Sequence, residues 1–313
     1  MSVPATSVVL LTRNAMPQLT ELWQRLAEQE VDGGFEVVAV DSDSNDGTAE
    51  FLAQRADRLI RIARERFNHG VTRNLGIEAA RGERVAFLVQ DALPASPRWL
   101  AELAAPLAGE RVAGAFSRQI PARGASALAR HQLAGWVTAS EEPRRIRLAP
   151  EVFAGLPPLE RLRACAFDNV SSCLRRDVWR LHPFPETPIA EDIAWGKRVL
   201  LGGYEIAYAP GSAVFHSHDR SLRYEFERTL LLHEQLQRLF GIETIGSPHA
   251  LARAVAATLP LHIRCLAADA ASAAPRPAEW LRVLGLACVW PAAQYFGVMR
   301  GRRAVKSARG ADA

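Results

Sequence analysis

Two aspartates stand at the ends of apolar runs, where an enzyme could use them. Asp41 follows Phe35-Glu-Val-Val-Ala-Val40, and Asp91 follows Arg84-Val-Ala-Phe-Leu-Val89 and Gln90. Open α/β sheets bind ligands at the carboxyl ends of their strands. There, one acid can accept hydrogen bonds from a base or ribose, and a second can hold a divalent cation that bridges a diphosphate. The residues after Asp41 are Ser42, Asp43, Ser44, Asn45, Asp46, Gly47 and Thr48. Asp43 is a further candidate at this edge. The alternative for 43–48 is a polar turn that caps the next helix.

Three more groups carry possible chemistry. In the run from Phe67 to Gly76, Gly70 permits a close backbone approach and precedes a helix start. Helix N-termini favour anions, and arginine suits a diphosphate, which makes Arg73 a candidate. The bland alternative is that Arg73 pairs with a surface acid and Asn74 caps a loop. In Val214-Phe-His216-Ser-His218, alternate residues of a strand share a face, so both imidazoles could join Asp91 on one cation. Imidazole suits Mn²⁺ better than Mg²⁺. Finally, Glu191 and Asp192 open a helical pattern. They either complement the helix dipole or supply a general base, with Asp192 taking a proton from an attacking hydroxyl.

The elements that would position these groups alternate. Strands are expected at 7–12, 35–41, 58–62 and 84–89, and helices at 17–29 and 71–81. This rhythm predicts an α/β fold with a mixed, mainly parallel sheet flanked by helices. Beyond Pro94, a helix over 99–107 and a strand over 112–117 are expected. Residues 119–165 show little periodicity. A helix over 191–201 and a strand pair at 205–208 and 213–216 follow. From Ser221 onward the pattern is helical, interrupted at Pro275 and Pro277.

The 313 residues are 49% hydrophobic, enough for a large core. The net charge is +4, and lysine occurs only at 197 and 306. No basic run in the body suggests nucleic acid. The tail, with Arg300, Arg302, Arg303, Lys306 and Arg309, could meet anionic lipid. Cys165, Cys173, Cys265 and Cys288 lack CxxC spacing and read as buried thiols in a reducing compartment. The N-terminus runs into a strand without a charged leader, so no signal peptide is expected. The uncharged stretch 283–299 contains Pro291 and Gln294 and reads as a surface or core helix rather than a membrane span.

Taken in order, these motifs resemble the family 2 glycosyltransferases of the GT-A (Rossmann-like) fold, over about residues 5–240. The blocks 67–76, 87–94 and 191–195, with His216 and His218, are similar to the bacterial rhamnosyltransferase-like branch. The resemblance implies an inverting transfer from a nucleotide-diphosphate sugar to a glycan or lipid-linked acceptor. It places Thr12, Arg13, Asn14, Asp41 and Arg73 beside the nucleotide, with Asp43, Asn74 and Gln90 grouped there. It makes Asp91 the metal acid, with Mn²⁺ or Mg²⁺ as cofactor. It assigns catalysis to Asp192 beside Glu191, and the acceptor side to Asn169, Ser171, Ser172 and Trp195. Gln90 and Ala92 depart from the acids often found beside the metal aspartate.

The expected organisation is a catalytic domain over 1–240 and a helical C-terminal extension over 241–313. The extension suits docking on the inner face of a cytoplasmic membrane or packing as a helical cap. A nucleotidyltransferase would want a glycine- and lysine-bearing first loop, unlike 11–15. A catalytically silent scaffold is the other alternative.

Overall fold

The computed structural model describes residues 4–218, 220–270 and 277–311. The chain runs through β1 (Thr6–Thr12), α1 (Gln18–Ala27), β2 (Phe35–Ser42), α2 (Thr48–Ala53), β3 (Arg58–Ile62), α3 (His69–Ala79), β4 (Arg84–Val89) and β5 (Leu93–Pro94). It continues through α4 (Trp99–Ala104), β6 (Val112–Ile120), α5 (Ala127–Ala134), β7 (Arg144–Ile146), α6 (Pro150–Gly155), α7 (Pro158–Ala164) and β8 (Ser171–Arg175). The remaining elements are α8 (Arg176–Leu181), α9 (Glu191–Leu201), β9 (Glu205–Phe215), α10 (Leu222–Phe240), α11 (Pro248–Ala270) and α12 (Pro277–Ala311).

The strands form one mixed nine-stranded sheet in the order β3-β2-β1-β4-β8-β6-β9-β5, with β7 also paired to β9. The β3-β2-β1-β4 half is parallel. β8 runs antiparallel to both β4 and β6. The parallel half puts the carboxyl ends of β1, β2 and β4 side by side, because Thr12 aligns with Asp41 and Leu11 with Val89. β1 is buried on both faces, as a strand covered by helices must be. Val8 and Leu10 join Leu19, Leu22, Trp99 and Leu100 in one core cluster. Each such side chain contributes about 1.5–3 kcal/mol when enclosed. On the other face α3 lies very close: a Cβ on Gly76 would sit 2.5 Å from Val9 Cγ1.

Two expectations change beyond the parallel half. The strand pair at 205–208 and 213–216 is a single strand, β9. Its pairing with β6 skips from Ala209 to Ala213, so Pro210 and Gly211 sit in a bulge instead of a turn. The helix expected over 99–107 is α-helical only to Ala104, then tightens into a 3₁₀ turn containing Pro106.

The chain divides into two compact units. One comprises Met1–Ala122, Trp136–Gly155 and Ala164–His216, and the other Arg123–Gly135, Leu156–Arg163 and Ser217–Ala313. α10, counted with the catalytic domain from sequence, clusters with the C-terminal helices. The cause is a set of small residues on α12. A Cβ on Gly297 would lie 2.4 Å from Leu230 O, and one on Gly301 would lie 2.9 Å from Glu234 O. Arg300 pairs with Glu234 at 2.9 Å, and Trp290 Nε1 donates to Glu225 at 3.0 Å. Gly241, at φ 71, caps α10. The break expected at Pro275 lies outside the described residues, and Pro277 opens α12. Pro248–Asp269 and Pro277–Ser307 are long and apolar enough to cross a membrane by length and composition. Cys165, Cys173 and Cys265 are buried as expected, whereas Cys288 is exposed.

Candidate active site

The edge expected to hold a nucleotide is built by two interlocked loops. Asn14 N donates to Ser44 Oγ at 2.9 Å, Ala15 N to Thr48 Oγ1 at 2.8 Å and Met16 N to Asp46 Oδ2 at 2.9 Å. Asn45 N returns a bond to Asn14 Oδ1 at 3.0 Å. Asp41 is fully enclosed. Its carboxylate accepts from Thr12 Oγ1 at 3.1 Å, Ser44 N at 3.0 Å and Ser44 Oγ at 2.5 Å. Asp41 and Thr12 therefore hold the loop. Arg13, Asn14 and Asp43 are exposed. Gln90 straps β4 to the β1 loop, accepting from Arg13 N at 2.7 Å and donating to Arg13 O at 3.0 Å.

Beside it, α3 starts on an Asn68 cap. Asn68 Oδ1 accepts from Gly70 N at 3.0 Å and Val71 N at 3.1 Å, so the anion-attracting donors expected at this helix start are already engaged. The close approach at Gly70 is made by the chain itself, since a Cβ there would lie 2.1 Å from Pro185 O. Asn74 anchors the same loop. It donates to Phe184 O at 2.9 Å and accepts from Trp179 Nε1 at 2.8 Å and Phe184 N at 3.1 Å. This is the loop-capping alternative of the sequence, realised on the loop that leads into α9.

That loop delivers the acids of α9. Ala190 adopts a left-handed conformation at φ 62, at a cost of about 1–3 kcal/mol for a non-glycine residue. Glu191 is buried, and its carboxylate lies 2.8 Å from Arg73 Nη1. Asn169 bridges the two acids: its side chain donates to Glu191 at 3.1 Å and its backbone N–H to Asp192 at 3.2 Å. Ser172 Oγ donates to Asn169 Oδ1 at 2.8 Å and fixes that amide. Burial alone would raise the Glu191 carboxyl. Arg73, His69 and Asn169 outweigh it and hold the group below its ordinary range. Asp192 remains partly exposed. Burial pushes its carboxyl up to about 8, and the Glu191 and Asp168 charges add to the rise. One acid is thus kept ionised, and its neighbour is poised near neutrality, where a general base works best.

The candidate cation site also assembles. His216 Nε2 lies 3.8 Å from Asp91 Oδ1. His218 follows two residues later, and one ligand atom each of Asp91, His216 and His218 falls within 4.8 Å of the others. The residues read as facing an acceptor fare differently. Trp195 is fully enclosed, packs on Phe167 and Phe184, and donates from Nε1 to His182 O at 2.8 Å. Ser171 is buried and accepts from Trp99 Nε1 at 2.9 Å. Asn169 and Ser172 are buried too; Asn169 bonds to both acids, and Ser172 bonds to Asn169. Sequence reading missed Gln119 and Asp168. Gln119 Nε2 donates to Asp168 Oδ2 at 2.8 Å, and Gln119 Oε1 faces His216 Nδ1 at 3.0 Å. No local pattern marks Gln119, because its partners are 49 and 97 positions away.

A mixed sheet with a loop-built edge, an Asp-His-His cluster and a carboxylate pair heading a helix defines an α/β enzyme. Residues 7–159 match the family described as Glycosyl transferase family 2. That segment is a domain of this family, and the chain is a glycosyltransferase with the GT-A fold. It is 28% identical over 232 residues to the O-antigen chain rhamnosyltransferase WbaN of Salmonella anatum, covering 72% of this chain and 70% of that protein. It is 28% identical over 199 residues to the O-antigen chain rhamnosyltransferase RfbN of Salmonella typhimurium, covering 61% of this chain and 60% of that one. In fold it is similar to the mannosyltransferase PcManGT of Pyrobaculum calidifontis, solved with GDP-Man and Mn²⁺. The TM-score is 0.59 at 20% identity, over 96% of this chain and 88% of that one.

Proposed function

We propose that the protein transfers a sugar, rhamnose being the favoured candidate, from a nucleoside-diphosphate donor to a hydroxyl of a glycan or lipid-linked acceptor in cell-surface polysaccharide synthesis. The carrying observation is the acid pair on α9, with Glu191 enclosed and ion-paired and Asp192 partly exposed and shifted upward. The two O-antigen rhamnosyltransferases support the sugar and the pathway class.

In this reading Asp192 takes the proton of the acceptor hydroxyl as its oxygen bonds to the anomeric carbon. The donor's bond to the diphosphate breaks on the opposite face, which inverts the configuration. Asn169 and Arg73 orient the pair through Glu191. Asp91, His216 and His218 fit a divalent cation by donor type and spacing. Mn²⁺ or Mg²⁺, when bound, would supply positive charge to the leaving diphosphate. Arg13, Asn14, Asp43 and Gln90 line the nucleotide edge, while Thr12 and Asp41 shape it. We reassign Arg73 and Asn74 to positioning the acids and their loop. Trp195 and Ser171 are reassigned to the core behind the acceptor side.

Exposed apolar residues on the last two helices support peripheral contact with the cytoplasmic face of a membrane. Leu259, Ile263, Trp280 and Leu281 are exposed there, beside Arg253 and Arg264.

The test is transfer from dTDP-rhamnose, UDP-sugars and GDP-sugars to lipid-linked acceptors, with the anomeric configuration of the product read by NMR. An inverted product from one donor, lost in Asp192→Asn, is expected. Undiminished transfer by Asp192→Asn would overturn the assignment.

A further inference from the structure

Gln119 lies on β6 and belongs to none of the motifs above. Its amide spans two groups. Nε2 donates to Asp168 Oδ2 at 2.8 Å, and Oε1 faces His216 Nδ1 at 3.0 Å. A carboxylate oxygen only accepts, so Asp168 fixes which end of the amide points each way. The carboxamide oxygen therefore meets the imidazole, and an oxygen can only accept from it. His216 must carry its proton on Nδ1. In the neutral ring this leaves the lone pair on Nε2, the nitrogen 3.8 Å from Asp91 Oδ1. Asp168 is itself anchored, since its Oδ1 accepts from Val170 N at 2.9 Å. The chain Val170–Asp168–Gln119–His216 thus runs from β8's entry loop to the mouth of the cation site.

We propose that Gln119 is a positioning residue that locks His216 in the tautomer whose Nε2 binds the divalent cation, which makes His216 the histidine that pairs with Asp91. The inference rests on the cation reading given above. Partners of this kind on the far nitrogen of a metal-bound histidine set both its tautomer and its ring orientation. Gln119 does so through a neutral amide, whose own direction is dictated by an acid on a different strand connection.

Two measurements on the purified full chain test this without using turnover. The first is Mn²⁺ affinity from the free-ion electron paramagnetic resonance signal. The second is the ¹⁵N NMR shift pattern of histidine-labelled, metal-free protein at alkaline pH, assigned with His216→Ala. Wild type should show His216 protonated on Nδ1. Gln119→Leu should mix the tautomers and weaken Mn²⁺ binding by about 10–100-fold, the usual effect of removing such a partner. A cooperative melting transition of Gln119→Leu, recorded alongside, separates the tautomer effect from general damage. Unchanged Mn²⁺ affinity in Gln119→Leu, or an Nε2–H tautomer in wild type, overturns the inference while leaving the cation reading standing. Absence of Mn²⁺ binding in wild type overturns both.

Discussion

The guanidinium of Arg73 lies 2.8 Å from the carboxylate of Glu191, and both side chains are almost wholly enclosed. α3 and α9 are joined there by charge. Removing one member of a buried pair leaves the other unpaired, at a cost of about 3–5 kcal/mol. Arg73→Met is expected to lose that much stability in urea unfolding. Arg73→Met combined with Glu191→Gln should recover most of the loss, because no lone charge remains inside. A double substitution no more stable than Arg73→Met would refute the pairing argument.

The Asp192 carboxyl is pushed up to about 8, first by burial and then by Glu191 and Asp168. A base must be ionised to accept a proton, so transfer should rise with pH and level off above about 8. Asp192→Asn should cut turnover by about 10²–10⁴-fold, the usual contribution of a general base. The stability effect has the opposite sense. An acid whose folded pKa is raised binds its proton more tightly when folded, so it destabilises the fold as pH climbs from its ordinary 3.8 towards 8. Asp192→Asn should therefore melt higher than wild type above pH 8, and the gain should vanish near pH 4. Parallel melting curves across that range would contradict the shift.

Asp91 and the two histidines predict a cation requirement. Chelation with EDTA should abolish transfer, and Mn²⁺ should restore it. Asp91→Asn should raise the Mn²⁺ concentration needed by more than about tenfold, since it removes the one carboxylate of the set. Full activity after exhaustive chelation would rule the cation out.

Gly297 permits the close packing of α10 on α12. A Cβ there would meet Leu230 O at 2.4 Å and His233 Cβ at 2.9 Å. Alanine adds about 1 kcal/mol of helix propensity, but overpacking against a backbone oxygen costs about 1–3 kcal/mol. Gly297→Ala should lower the melting temperature of the full chain. A rise would show that the helices can separate without penalty.

Much of the parallel half of the sheet was legible in the sequence, because each strand and helix there carries its own period. β3, β4 and α9 begin and end where the pattern places them. The region 119–165 was not legible, since α5, α6 and α7 are six to eight residues long, too short to show a period. β9 was read as two strands because Pro210 and Gly211 imitate a turn within its bulge. At the site, strand ends and the α9 acids could be picked out by residue type. Their partners could not. Arg73 and Glu191 are 118 positions apart in the chain, and Gln119 reaches Asp168 and His216 only through strand pairing. Arg73 and Asn74 look like donor-binding residues by type, and only the Arg73 ion pair with Glu191 and the Asn74 bonds to Phe184 and Trp179 show that they hold the protein together.

The central claim is that this edge holds a nucleoside diphosphate together with a divalent cation. The most direct measurement is calorimetric titration of the purified chain with dTDP, UDP and GDP, each with and without Mn²⁺, in wild type and Asp91→Asn. The account predicts that one nucleotide binds, that binding needs Mn²⁺, and that Asp91→Asn weakens it. Binding of none of the three, or equal binding without Mn²⁺, would contradict it.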